Sequence, residues 1–130
     1  VNGVRDMTEP DSLLDTAAAR LLVEVGFLAL SMGRDTAAET IFAGVSAARP
    51  QQEAGPLGLA LVHLHRGHLD AAERTLRTLP PTDSVQAFLG LTIARTGDRL
   101  QARDILSEVA ASAPGTPQAA LASDLLATIS

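Results

Sequence analysis

The sequence predicts an all-α fold: a superhelical array of three helix-turn-helix repeats closed by a C-terminal capping helix. Three observations predict it. The first is self-similarity at a fixed period: Gly33 and Gly67 stand 34 residues apart, as do Ala38 and Ala72, Phe42 and Leu76, and Val45 and Leu79. A third copy keeps the internal spacing with Gly97, Ala102, Leu106 and Val109, after a connection four residues shorter. The second is composition: 46% of the 130 residues are hydrophobic, yet three are Phe and none is Trp or Tyr. A core of Leu, Ala, Val and Ile suits closely packed helices. The third is punctuation, because each repeat Gly follows an apolar stretch and precedes an Ala-rich amphipathic one, as in MGRDTAAETIF and RGHLDAAERTL.

Taken in order, the first helix is expected over about 11–32, whole or broken into two, with Pro10 and Asp11 as start signals. The second spans 35–48 and stops before Arg49-Pro50. The third covers 56–66 and the fourth 69–78, ended by Pro80-Pro81. The fifth covers 84–96 and the sixth 100–112. The run Ala113-Pro-Gly-Thr-Pro117 breaks the chain, and a last helix over 117–128 covers the apolar end of the array. Gly33, Gly67 and Gly97 fit the left-handed residue that terminates a helix. Gly26 and Gly90 sit inside helices, where Gly costs ~1 kcal/mol against Ala; close approach of the paired helix offsets that cost. Ala38, Ala72 and Ala102 are the expected small partners. Residues 1–10 read as a flexible segment ahead of one domain over 11–130, with repeats at 19–52, 53–82 and 83–115. Residues 1–6 read as a vector remnant before a native start at Met7.

Charge narrows the function. The net charge is −5 and all ten basic residues are Arg, scattered along the chain. Without a basic patch, neither nucleic acid nor an anionic membrane is an expected partner. Apolar runs end before the ~18 residues that a membrane helix needs, and the N-terminus lacks a secretory pattern. There is no Cys, so no disulfide or thiolate metal site is expected, which fits a cytoplasmic location.

The repeat resembles the tetratricopeptide repeat, a 34-residue helix-turn-helix. The signature positions fall on Leu22, Val25, Gly26, Ala29, Ala38, Phe42 and Pro50 in the first copy. In the second they are Pro56, Leu59, Ala60, His63, Ala72 and Leu76. In the third they are Gln86, Leu89, Gly90, Ile93, Ala102, Leu106 and Pro114. The large aromatics usual on the first helix are absent. The resemblance implies that the first helices of the pairs line a concave face that holds another polypeptide. On the remaining inward face, helical spacing gives Val23, Phe27 and Leu30, then Leu57, Leu61 and Leu64, then Phe88, Leu91 and Arg95 as partner-binding residues. The family's carboxylate clamp for acidic tails is not expected, since Val23 and Phe27 occupy that face and the chain has no Lys.

LGLALVHL is apolar nearly all round and needs cover on every side. That cover is a client segment, the chain's own termini, or a second copy in a homodimer. The leading expectation is a chaperone or adaptor with an apolar client. Its size and its AETIFAGVSAARP segment resemble the small tetratricopeptide chaperones of bacterial type III secretion. The alternative is a scaffold or oligomerisation domain without a separate client. No enzyme is expected: Asp35/Glu39 and Asp70/Glu73 sit at helix starts, where carboxylates favour the helix dipole, and no nucleophile elbow or phosphate loop occurs. No cofactor is implied. No metal site is expected either, because His63 and His65 diverge by ~200° around a helix, although His65 and His68 could approach across the turn.

Overall fold

The computed structural model describes the backbone of residues 2–129 and the side chains of residues 16–129. The described residues form seven helices and no strand: α1 (Asn2–Ser31), α2 (Asp35–Ala48), α3 (Ala54–His65), α4 (Leu69–Arg77), α5 (Asp83–Thr96), α6 (Arg99–Ser112) and α7 (Pro117–Ile129). α2 has the expected bounds, and α3 to α7 fall within two residues of theirs. α1 is the departure. It begins well before Pro10-Asp11, a pair that is compatible with a helix start but does not force one. Of the N-terminal segment expected to be flexible, residues 2–10 belong to the backbone of α1, while their side chains and Val1 lie outside the described ones.

The hairpins turn as the glycines require. Gly33 and Gly67 have φ of 75° and 78°, a region that side chains with a Cβ rarely enter. Around each, two backbone bonds close the helix end. Gly33 N–H donates to Leu30 O at 3.0 Å and Arg34 N–H to Ala29 O at 2.8 Å; Gly67 and His68 repeat this with Leu64 and His63 at 3.1 and 2.8 Å. This is the Schellman arrangement. The same bonds close α1 and α3.

The chain packs as two compact units, residues 1–58 and 59–130, with the boundary inside α3. In the first, α1 packs on α2. Ala38, Phe42 and Val45 form the buried stripe of α2, spaced four and three residues apart as one helix face demands. The side chain opposite Gly26 is Phe42: a methyl there would lie 2.7 Å from Phe42 Cζ, and one at Gly58 would overlap the same ring. The fully buried Phe42 ring thus fills the space left by two glycines, one on α1 and one on α3. The expected contact of small residue on small residue is replaced by a large knob in a glycine hole. Burying such a ring contributes about 1.5–3 kcal/mol.

In the second unit, α5 packs on α4, α6 and α7. Gly90 repeats the device, with Leu106 Cγ and Cδ2 2.6 Å from where a Cβ would stand. Six of the fourteen residues of α5 are buried, Thr92 among them. The Thr92 hydroxyl donates to Phe88 O at 2.8 Å, so burial leaves it partnered. α7 closes this end: its Ala122 joins Ala87, Leu106 and Val109 in one buried cluster, flanked by Leu121, Leu125, Leu126 and Ile129. It is the capping helix that the break at 113–117 predicts.

Candidate functional site

The nine residues expected to bind a partner separate by burial. Leu57 and Leu64 are buried and belong to the core of their own units. Val23, Phe27, Leu30, Leu61, Phe88 and Leu91 are half-buried, and Arg95 is exposed. Helical spacing places all nine on first helices but does not tell the rim of an apolar face from its buried centre. Phe27 stands edge-on to Phe42, with ring centroids 4.9 Å apart and planes at 62°. That contact holds the Phe27 side chain in place while leaving part of its ring open.

Two clefts receive members of this set. Val23 lines one of about 230 Å³ with Ala19, Arg20, Val45, Gln52 and Ala54. Phe88 lines another, of about 210 Å³, with Ala87, Leu121, Pro117 and the pair Ser84 and Gln118. At its edge Gln118 Nε2 donates to Ser84 Oγ at 3.1 Å, which ties the start of α7 to the start of α5. Nearby, Ser112 Oγ donates to the Asp83 carboxylate at 3.0–3.1 Å. An apolar cleft with a few polar groups at its lip has the chemistry of a side-chain receptor.

The sequence reading misses a second apolar surface. On α1 and the residue after it, Leu21 is 60% exposed, Leu28 and Met32 59% each, with Leu22 and Val25 at 44% and 41%. Leu22 and Val25 are the surprise, because the repeat signature assigns both to packing inside the hairpin. Leu22 instead overlooks an open groove of about 480 Å³ shared with Ala18, Gly44, Val45, Ala48 and Arg49. Arg49 Nη2 closes one end of it by donating to Thr16 Oγ1 at 3.0 Å. The missed signal is spacing: residues 21, 25, 28 and 32 alternate steps of four and three, the pattern of a helix seam.

The pair of histidines that approaches across the turn is not the expected one. His63 is half-buried, while His65 and His68 are exposed. The rings that approach across the α3–α4 turn are His63 and His68, with centroids 6.2 Å apart. No group of three or more His, Asp or Glu side chains with metal-binding geometry occurs among the described residues. No helix among them is long and apolar enough to cross a membrane.

Comparison with known proteins fits this geometry. Residues 29–92 match the family model of the tetratricopeptide repeat. No curated protein matches the sequence. Among solved structures, the chain is similar in fold to the type III secretion translocator chaperone SycD of Yersinia enterocolitica. The two superpose with a TM-score of 0.70 at 15% identity, over 88% of this chain and 84% of that one. The fold is therefore an all-α helical-repeat array of tetratricopeptide type.

Proposed function

We propose that this tetratricopeptide-repeat chain is a chaperone or adaptor that holds an apolar segment of a client protein against the first helices of its repeats. The observation that carries the reading is the incomplete burial of large apolar side chains on those helices. Leu61, Phe88 and Leu91 keep part of their surface open, and the cleft beside Phe88 has the size for one client side chain. Val23, Phe27 and Leu30 contribute on α1, with Arg95 as a polar rim. Binding, not catalysis, is the function in this reading.

Likeness in fold to SycD supports a narrower version, in which the chain serves type III secretion in the cytoplasm and keeps a secreted protein soluble before export. The test is recovery of the client from the native host, followed by binding of that client to purified variants. Leu61→Glu and Phe88→Glu should each weaken capture at least about tenfold, since a buried charge without a partner is costly, with helical content preserved. Unchanged capture by both variants would exclude these helices as the binding surface.

A second reading is favoured by the exposed seam on α1. Leu21, Val25, Leu28 and Met32 form an apolar strip of the kind that joins subunits, which suits an oligomerisation domain or a homodimeric chaperone. Light scattering decides: Leu28→Glu should convert a dimer to a monomer, and a wild-type chain that is monomeric at high concentration would exclude this reading.

A further inference from the structure

We propose that His63 and His68 form a two-point chelate for a late first-row divalent metal ion, with zinc as the reference case. The turn builds the site. α3 ends at His65, Gly67 reverses the chain at φ 78°, and His68 occupies the residue before α4. The His68 N–H donates to His63 O at 2.8 Å. That bond closes the turn on which both side chains stand, and their rings lie 6.2 Å apart, centroid to centroid, at an interplanar angle of 40°.

This separation is close to what a shared ion needs. With metal–nitrogen distances of about 2.0–2.1 Å, two imidazoles on a tetrahedral centre have ring centres about 5 Å apart, and a wider angle between them raises that to about 6 Å. The remaining adjustment falls on His68, whose exposed side chain is free to rotate.

Neither imidazole is committed elsewhere in a way that would oppose this. His63 Nδ1 is buried and out of reach of an ion, so Nε2 is the nitrogen that His63 would offer. The His68 side chain makes no cap bond to α4, although it occupies the capping position. Imidazole nitrogen suits zinc, copper and nickel over calcium or magnesium. The other coordination positions are left to water, because the adjoining cleft of about 400 Å³, which also holds Asp70 and Arg74, is open. With no Cys and three His in the whole chain, no thiolate competes for the ion. A bound ion would join the end of α3 to the start of α4 and stabilise that hairpin in proportion to its occupancy.

The test is calorimetric titration of the full chain, stripped of metal, with Zn(II), together with histidine ring resonances followed by NMR. One ion per chain is expected, with the His63 and His68 signals moving together and the His65 signal staying in place. His68→Ala should weaken binding by more than the about 10–100-fold that loss of an outer-shell partner costs; circular dichroism checks that the exposed substitution leaves the fold intact. His65→Ala should bind as the wild type does. Absence of saturable binding, full retention of binding in His68→Ala, or its loss in His65→Ala would each overturn the proposal.

Discussion

The first and last hairpins use one repeat in two settings. Positions 21, 25 and 28 of α1 correspond to 85, 89 and 92 of α5, 64 residues later. On α1 these are Leu21, Val25 and Leu28, exposed by 41–60%; on α5 they are Val85, Leu89 and Thr92, exposed by 0–4%. The difference lies in the neighbours. α5 has α4 before it and α6 and α7 after it, whereas α1 packs on α2 and no helix of the described residues precedes it. The more apolar of the two helices at these positions is the less covered one. An apolar stripe in a repeat therefore records what the repeat was built to touch, and the fold alone does not say whether that surface is met within the chain or by another molecule.

The comparison can be broken most forcefully at the glycine-facing knobs. Phe42→Ala should cost about 3–5 kcal/mol and Leu106→Ala about 2–5 kcal/mol in urea unfolding, because both leave cavities in fully buried contacts. A near-neutral result at either would mean that the repeat register is wrong. At equivalent seam positions the two settings should part. Leu89→Ala should lose about 2–5 kcal/mol, whereas Val25→Ala should stay within about 0.5 kcal/mol for the isolated chain. Equal losses would show that the α1 strip is covered in solution.

Smaller effects sharpen the contrast. Gly26→Ala and Gly90→Ala each set about 1–3 kcal/mol of overpacking against ~1 kcal/mol of helix propensity. Gly26→Ala should be the more harmful, since the Phe42 ring is also confined at its Cδ1–Cε1 edge by Gly58, while the Leu106 branch can rotate. Thermal unfolding of the pair would rank them. The helix starts differ too. α5, α6 and α7 are capped by Thr82, Asp98 and Thr116, which accept from Val85, Gln101 and Ala119 N–H, whereas Arg34 gives α2 no side-chain cap. Arg34→Asp should then stabilise by about 1 kcal/mol, and Arg77→Ala, which breaks the exposed bridge to Glu73 at 2.9 Å, should change stability by no more than about 0.5 kcal/mol. Both are readable from denaturation midpoints.

Much of the fold is legible in the chain itself. Left-handed glycines, proline breaks and the 34-residue period are local properties, and they locate α2 to α7 within two residues. The partner of a helical glycine is less legible. Gly26 calls for a close neighbour, but the sequence does not reveal whether a small Ala38 or a large Phe42 takes the space. The candidate site is legible only as a face. Leu57 and Leu61 lie one turn apart, yet one is core and the other half-open, because that outcome is decided by helices distant in sequence. The histidine pairing fails for a related reason: direction around one helix separates His63 from its neighbours, while the turn brings His68 back to it.

The Phe42 ring has a dynamic consequence. A 180° rotation of the ring sweeps its edge past the α3 backbone at Gly58, which lies against Cγ, Cδ1 and Cε1, while Gly26 of α1 faces the ring tip at Cζ. Its flipping rate therefore reports how often the first hairpin loosens. In a chain with three phenylalanines, its aromatic signals offer a clean clock for that breathing, and a client that tightens the hairpin would slow it.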